Sequence, residues 1–155
     1  MKKIIQTTIF IFGLLMAFVP FTWAGDDPET AAMRSACEEG NSAACFRMGE
    51  RYRIIEQDNK IAVTFYIRAC DAGYMTGCTN GGILLFMKGS HGSSQWKNAK
   101  KMFQKACGAG EDTSCFNLGT LNYKEGRQKK AITMYNKACE MGNQPACVRE
   151  KRLQR

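Results

Sequence analysis

Apolar residues recur along this chain at helical spacing, in bursts separated by short polar or glycine-bearing breaks. Phe46, Met48, Tyr52 and Ile55 form one such face and predict a helix from about Ala43 to Ile55, closed by the polar Gln57-Asp58-Asn59. A helix before it opens at Asp27-Pro28-Glu29, with an acceptor at the cap, proline in the first turn and an acid near the positive helix end. It is expected to run to about Glu39, ahead of Gly40. Further helices are expected from about Gln95 to Cys107, Glu111 to Tyr123 and Arg127 to Cys139, with Gly126 as a break, and Asn143-Gln144-Pro145 starts a last one. The Gly/Ser-rich stretch from Lys88 to Gln95 reads as an exposed loop.

These bursts are registered on one unit written four times, Ala-Cys-x-x-Gly-x-x-x-x-Cys. It holds all eight cysteines, as Cys37 and Cys45, Cys70 and Cys78, Cys107 and Cys115, and Cys139 and Cys147, at intervals of 33, 37 and 32 residues. Self-similarity at that period signals a repeat array. A glycine three residues after a helical cysteine sits where helices end in the left-handed conformation that glycine adopts cheaply. The second cysteine then falls on the next, antiparallel helix, within reach of the first. Repetition of one spacing selects the pairs Cys37–Cys45, Cys70–Cys78, Cys107–Cys115 and Cys139–Cys147, each bridge contributing about 2.5 kcal/mol in the chain-entropy model. The rival reading is zinc, whose usual ligand spacings are short C-x-x-C steps, often with histidine; the only histidine is His91.

Counting back from the first cysteine, the fourth residue is Tyr66, Phe103 or Tyr135 and the eighth is Ala62, Ala99 or Ala131, with Met33 at the aromatic position of the first repeat. Steps of four share a helix face, so the aromatic is expected to fill the gap between the two helices of a pair while alanine lets helices approach. On the second helices a small residue precedes the cysteine (Ala44, Gly77, Ser114, Ala146) and glycine follows it by four (Gly49, Gly82, Gly119). Glycine inside a helix costs about 1 kcal/mol relative to alanine, so its recurrence implies close approach of a helix from the next repeat. Lys151 takes that place in the last repeat, as on the polar outer face of a terminal cap.

The N-terminus changes the compartment. Met1-Lys2-Lys3, an apolar run from Ile4 to Val19, and Thr22-Trp23-Ala24 read as a signal peptide, residues 1–24, cleaved after Ala24. The run is short for a spanning helix, so no stable membrane insertion is expected after cleavage, and export suits disulfides. The net charge of +8 falls to +6 on the mature chain from Gly25, which favours acidic partners such as anionic headgroups, cell-wall polymers or acidic protein patches. The charges read as scattered over solvated helix faces, concentrated only in the tail Arg149, Lys151, Arg152 and Arg155. Nucleic acid is disfavoured, since no recognition motif for it is present.

Ala99-x-x-x-Phe103-x-Lys105-Ala106-Cys107-x-x-Gly110 through Cys115-Phe116-x-Leu118-Gly119-x-Leu121, echoed by Ala131-x-x-x-Tyr135-x-Lys137-Ala138-Cys139-x-x-Gly142, resembles the Sel-1-like repeats, relatives of the tetratricopeptide family. Cysteines eight apart in every repeat resemble the exported cysteine-rich branch typified by the Helicobacter cysteine-rich proteins. The first repeat departs in its shortened helix, and the second in Gly81-Gly82. The expected fold is thus all-α: an α-solenoid of four antiparallel helix pairs over 25–155, with repeats at about 27–57, 58–92, 95–126 and 127–155.

The resemblance implies a periplasmic or secreted adaptor binding a protein or peptide, with cell-wall fragments as a second class of partner. It also implies, as the alternative, the penicillin binding and weak β-lactamase activity described for the cysteine-rich branch. For that alternative Ser94-Gln95-Trp96-Lys97 matches a Ser-x-x-Lys element, but neither Ser-Asp-Asn nor Lys-Thr-Gly is present. His91, beside Ser90 and Ser93, lies among glycines without rigid support. No catalytic, cofactor or metal site is assigned, and the cysteines read as structural rather than as a thiol-exchange centre.

Overall fold

Each Ala-Cys-x-x-Gly unit ends a helix in the same way. Gly40, Gly73, Gly110 and Gly142 have φ of 93°, 91°, 98° and 96°, and the residue after each donates its N–H to the carbonyl of the unit's alanine: Asn41 to Ala36 at 2.9 Å, Tyr74 to Ala69 at 2.8 Å, Glu111 to Ala106 at 3.0 Å, Asn143 to Ala138 at 2.9 Å. This is the glycine-dependent helix stop that ties off two orphan carbonyls, and it turns the chain sharply enough to bring the two cysteines of the unit together. In this computed structural model, which describes residues 27–155, all four local bridges form, with Cα–Cα distances of 4.6–4.7 Å. The signal peptide expected at 1–24, and Gly25 after it, lie outside the described residues.

Among the described residues all regular structure is helical: α1 Pro28–Glu38, α2 Ser42–Ile54, α3 Asn59–Asp71, α4 Met75–Lys88, α5 Ser94–Gly108, α6 Asp112–Lys124, α7 Gln128–Glu140 and α8 Gln144–Leu153. Side-chain caps set several starts. Asp27 accepts from the Thr30 N–H, Asn41 from Ala44 and Asn143 from Ala146. Ser93 accepts from Trp96, so α5 begins at Ser94, one residue before the expected start and inside the expected loop.

Sequential helices pack into an array, and α2 on α3, α4 on α5 and α6 on α7 make broader contacts than the disulfide-joined pairs. The seams between repeats therefore carry most of the packing, while the bridges clamp the turns. At each seam the recurring aromatic meets the recurring glycine of the preceding second helix. A Cβ on Gly49 would lie 2.6 Å from the Tyr66 ring, on Gly82 2.7 Å from Phe103, on Gly119 2.7 Å from Tyr135. This corrects one expectation: the rings fill the gap between repeats rather than between the helices of one pair. The glycine and the aromatic are two halves of one contact, and both are kept by the room a bare Cα leaves for a buried ring.

The lysine of the Lys-Ala-Cys sequence has a structural use as well. Lys105 Nζ donates to the Cys70 carbonyl at 2.6 Å and Lys137 Nζ to the Cys107 carbonyl at 3.1 Å. A cation thereby caps the negative end of the preceding repeat's first helix. Three bridges are buried, whereas Cys139 and Cys147 in the last repeat are only half-buried, with Val148 beside them exposed.

Candidate functional site

Because α1 and α3 both pack on α2, α3 and α5 on α4, and α5 and α7 on α6, each of these second helices floors a space between two first helices. The three spaces are equivalent in register but not in content. Over α2, Phe65 stacks on Tyr52 with ring centroids 5.4 Å apart and planes 9° from parallel. Arg34 covers the pair, donating to the Tyr52 hydroxyl at 3.0 Å and lying over the Phe65 ring. Over α4, the Met102 thioether lies against Gly81, and Ile67 and Leu85 pack into the same cluster. In both spaces the residue reaching in from the later first helix, Phe65 or Met102, is buried.

The space over α6 is open, a cleft of about 270 Å³. Its floor is Leu118 and Asn122; one wall is Lys100 and Gln104 of α5, the other Arg127, Lys130, Thr133 and Met134 of α7. Counted from the cysteines, Lys100 stands where the second repeat has Val63, Gln104 where it has Ile67, and Asn122 where it has Leu85 and the first has Tyr52. Met134, equivalent to Met102 and Phe65, is half-buried at the cleft wall, whereas both of those are buried.

Two fixed features shape the electrostatics of this cleft. The Glu125 carboxylate accepts from Trp96 Nε1 at 2.9 Å and from Lys100 Nζ, and pairs with Arg127 at 2.9 Å. Burial works against its ionisation, but the hydrogen bonds from Lys100 and Trp96 and the two positive charges outweigh it and hold its pKa below the usual carboxylate range. It thus fixes two cations at the rim. Lys130 lines the cleft, and Lys97, Lys101 and Lys129 are exposed elsewhere on the same two helices; none of the four makes an ion pair among the described residues. Contrary to the expected even scatter, residues 72–155 hold fourteen basic and five acidic residues, against six basic and eight acidic in 27–71.

The other candidates are not brought together. Ser94 Oγ, on the exposed first turn of α5, donates to the Gln95 side chain at 3.1 Å, and no hydrogen bond joins it to Lys97 or His91. His91 packs its ring edge-on to Trp96 with centroids 5.4 Å apart. Ser93 is occupied in capping α5. The cleft residues themselves were not singled out by sequence reasoning. The signal for them was that the third repeat is polar at all three of these register positions, where the first has Thr30, Arg34 and Tyr52, the second Val63, Ile67 and Leu85, and the fourth Ile132, Asn136 and Gln154.

The Sel1 repeat profile matches residues 42–74 and 113–143, windows that run from the start of a second helix into the turn after the next first helix. A protective antigen of uropathogenic Escherichia coli with an SLR fold is 27% identical with a TM-score of 0.68, over 82% of this chain and 29% of that one, so this chain spans less than a third of it. A Sel1 repeat protein from Oxalobacter formigenes is 21% identical (TM-score 0.63; 79% of this chain, 97% of that one). Helicobacter pylori cysteine rich protein B is 24% identical (TM-score 0.53; 76% and 89%). No curated protein matches the sequence. The profile match, the stapled helix pairs and these neighbours show that the chain carries Sel1 repeats over those two windows and has an SLR-type fold, and repeats of this kind generally mediate protein interactions.

Proposed function

We propose that this chain is an exported interaction module of the cysteine-rich branch, periplasmic or secreted, that binds a protein or peptide in the cleft over α6. One observation carries the reading: of three spaces in equivalent register, two take a buried side chain of the chain's own, Phe65 or Met102, and the third keeps a cleft lined with polar groups around the half-buried Met134. A concave site between helices where polar groups converge is a place where ligands bind. Four disulfides among the described residues favour an oxidising compartment. Among those same residues no helix is long and apolar enough to cross a membrane.

Site-specific photo-crosslinking in the native host tests the reading. A photoreactive residue at Thr133 should yield a discrete adduct with one protein, and the same residue at Val148, on α8, should not. Absence of any adduct at Thr133, or the same adducts at both positions, sinks it. Mature protein recovered from the periplasm or medium should begin at Gly25; full-length chain retained in the cytoplasm would refute export.

A further inference from the structure

We propose that the α5–α7 cleft takes an extended acidic peptide segment, its carboxylates held by the lysines of α5 and α7 and one of its backbone N–H groups by the side chain of Asn122; this rests on the peptide-binding reading above and specifies its ligand.

Asn122 carries the argument furthest. It is 5% exposed, at a register position filled by Tyr52 and Leu85 elsewhere, and a buried amide there is less favourable than an apolar side chain unless both its ends are used. Only the amide nitrogen can donate to the Leu118 carbonyl, which it does at 2.9 Å. The end that remains, Oδ1, has no protein partner among the described residues and is open to solvent at the floor of the cleft, since no fully buried side-chain N or O there lacks a partner. An extended peptide backbone presents N–H donors at regular intervals and satisfies it. Gln104 and Thr133 on the facing walls supply further polar groups for the same backbone.

Charge fixes the side chains of the ligand. α5 has no acid and carries Lys100 on the cleft wall with Lys97 and Lys101 exposed beside it in sequence, and Arg127, Lys129 and Lys130 lead into α7 from the opposite wall. Among the described residues the only carboxylate paired with Lys100 or Arg127 is Glu125, shared between the two. The exposed lysines face solvent unpaired and complement acidic side chains placed to either side of the backbone contact. Leu118 and Met134 add apolar surface for a residue between the acids. Nucleic acid fits less well, since no aromatic side chain lines the cleft to stack a base.

The test is fluorescence anisotropy with a short labelled peptide of glutamates interrupted by leucines, its glutamine analogue and a heparin oligosaccharide, titrated with the disulfide-intact protein. The glutamate peptide should bind, more weakly as salt rises, and the glutamine analogue should not. Asn122→Leu should weaken binding about fivefold, the equivalent of one net hydrogen bond, without lowering the urea midpoint. Lys130→Glu should weaken it more than Lys151→Glu, the same charge change on α8. The proposal is overturned if the glutamate peptide does not bind, if heparin binds equally well and is equally affected by both lysine reversals, or if Asn122→Leu leaves affinity unchanged. A protein crosslinked at Thr133 alongside any of these results leaves the interaction module standing and removes only its acidic ligand.

Discussion

The spaces above α4 and α6 share a register and differ in outcome. Above α4, Met102 reaches over Gly81 to meet Ile67 and Leu85, and is buried. Above α6, leucine at the position of Gly81 raises the floor, while Asn122, Gln104 and Lys100 replace the apolar residues that would have drawn the walls together. Each repeat contacts mainly its neighbours, so a repeat can give up packing locally without unravelling the array, provided its seams hold. The seams do hold: Gly82–Phe103 below and Gly119–Tyr135 above are built alike. The contrast teaches that the filling of these spaces is a property of a few register positions, and that the backbone tolerates either state.

The contrast breaks most visibly if a filled space is emptied by force. Phe65→Ala removes the ring that stacks on Tyr52 and lies under Arg34 and Arg68, and Phe65 is buried. The expected cost is about 3–5 kcal/mol, the usual range for a buried phenylalanine, measured as the shift in urea midpoint at constant slope. A loss under about 1 kcal/mol would mean that the space over α2 tolerates being empty, and openness over α6 would lose its significance.

A milder exchange swaps the two states. Leu85→Asn places the amide of the third repeat in the second and should destabilise by about 2 kcal/mol, since the half-buried site offers apolar neighbours and no designed partner. Asn122→Leu does the reverse and should leave stability unchanged or raise it by up to about 1 kcal/mol. Opposite signs sharpen the comparison. Equal losses in both variants would make Asn122 a structural residue tuned to its site.

The cysteine unit made the helix boundaries, the turns and the pairing legible, because the constraint is local: a glycine stop fixes where one helix ends, and one spacing recurs. The closeness of the repeats was legible in Gly49, Gly82 and Gly119, but the partner of those glycines was not. Tyr66 shares a helix face with Ala62 and Cys70, and nothing in that spacing says whether the ring turns to its own repeat or to the one before. The lysine bridges from Lys105 and Lys137 were equally hidden, since their acceptors are backbone carbonyls about a full repeat away. The cleft escaped notice for a different reason. Attention to what the repeats share passes over the positions where one repeat differs.

The finest contrast lies in the seams themselves and is read by pH. After its glycine the first seam has Glu50, the second Ile83 and the third Thr120, and each suits the ring it meets. The Tyr66 hydroxyl donates to Glu50 and accepts from Arg53 Nε at 3.1 Å, Phe103 has no hydroxyl, and Tyr135 donates to Thr120 at 3.1 Å. Burial works against ionisation of Glu50, but hydrogen bonds from Arg53, Tyr66 and Asn80 prevail and hold its pKa below the unfolded value of 4.5. Its stabilising effect is therefore present above pH 4.5 and lost as pH falls through the lower folded value. For Tyr66, burial first and the Glu50 bond second raise the pKa from 10.0 to about 12. That contribution is complete below pH 10 and lost between pH 10 and 12, as the unfolded chain ionises first. Asp27 and Glu125 are also lowered, so acid sensitivity of the wild type alone proves little; the difference from Glu50→Gln isolates this seam. At neutral pH the wild type should exceed Glu50→Gln by about 1 kcal/mol in urea unfolding, one net charge-assisted hydrogen bond after allowing for partial exposure. The gap should narrow as pH falls from 4.5 through the lower folded value. Tyr66→Phe should flatten the alkaline limb. A gap that persists undiminished in acid would mean that Glu50 acts through packing and that the three seams differ in shape rather than in charge.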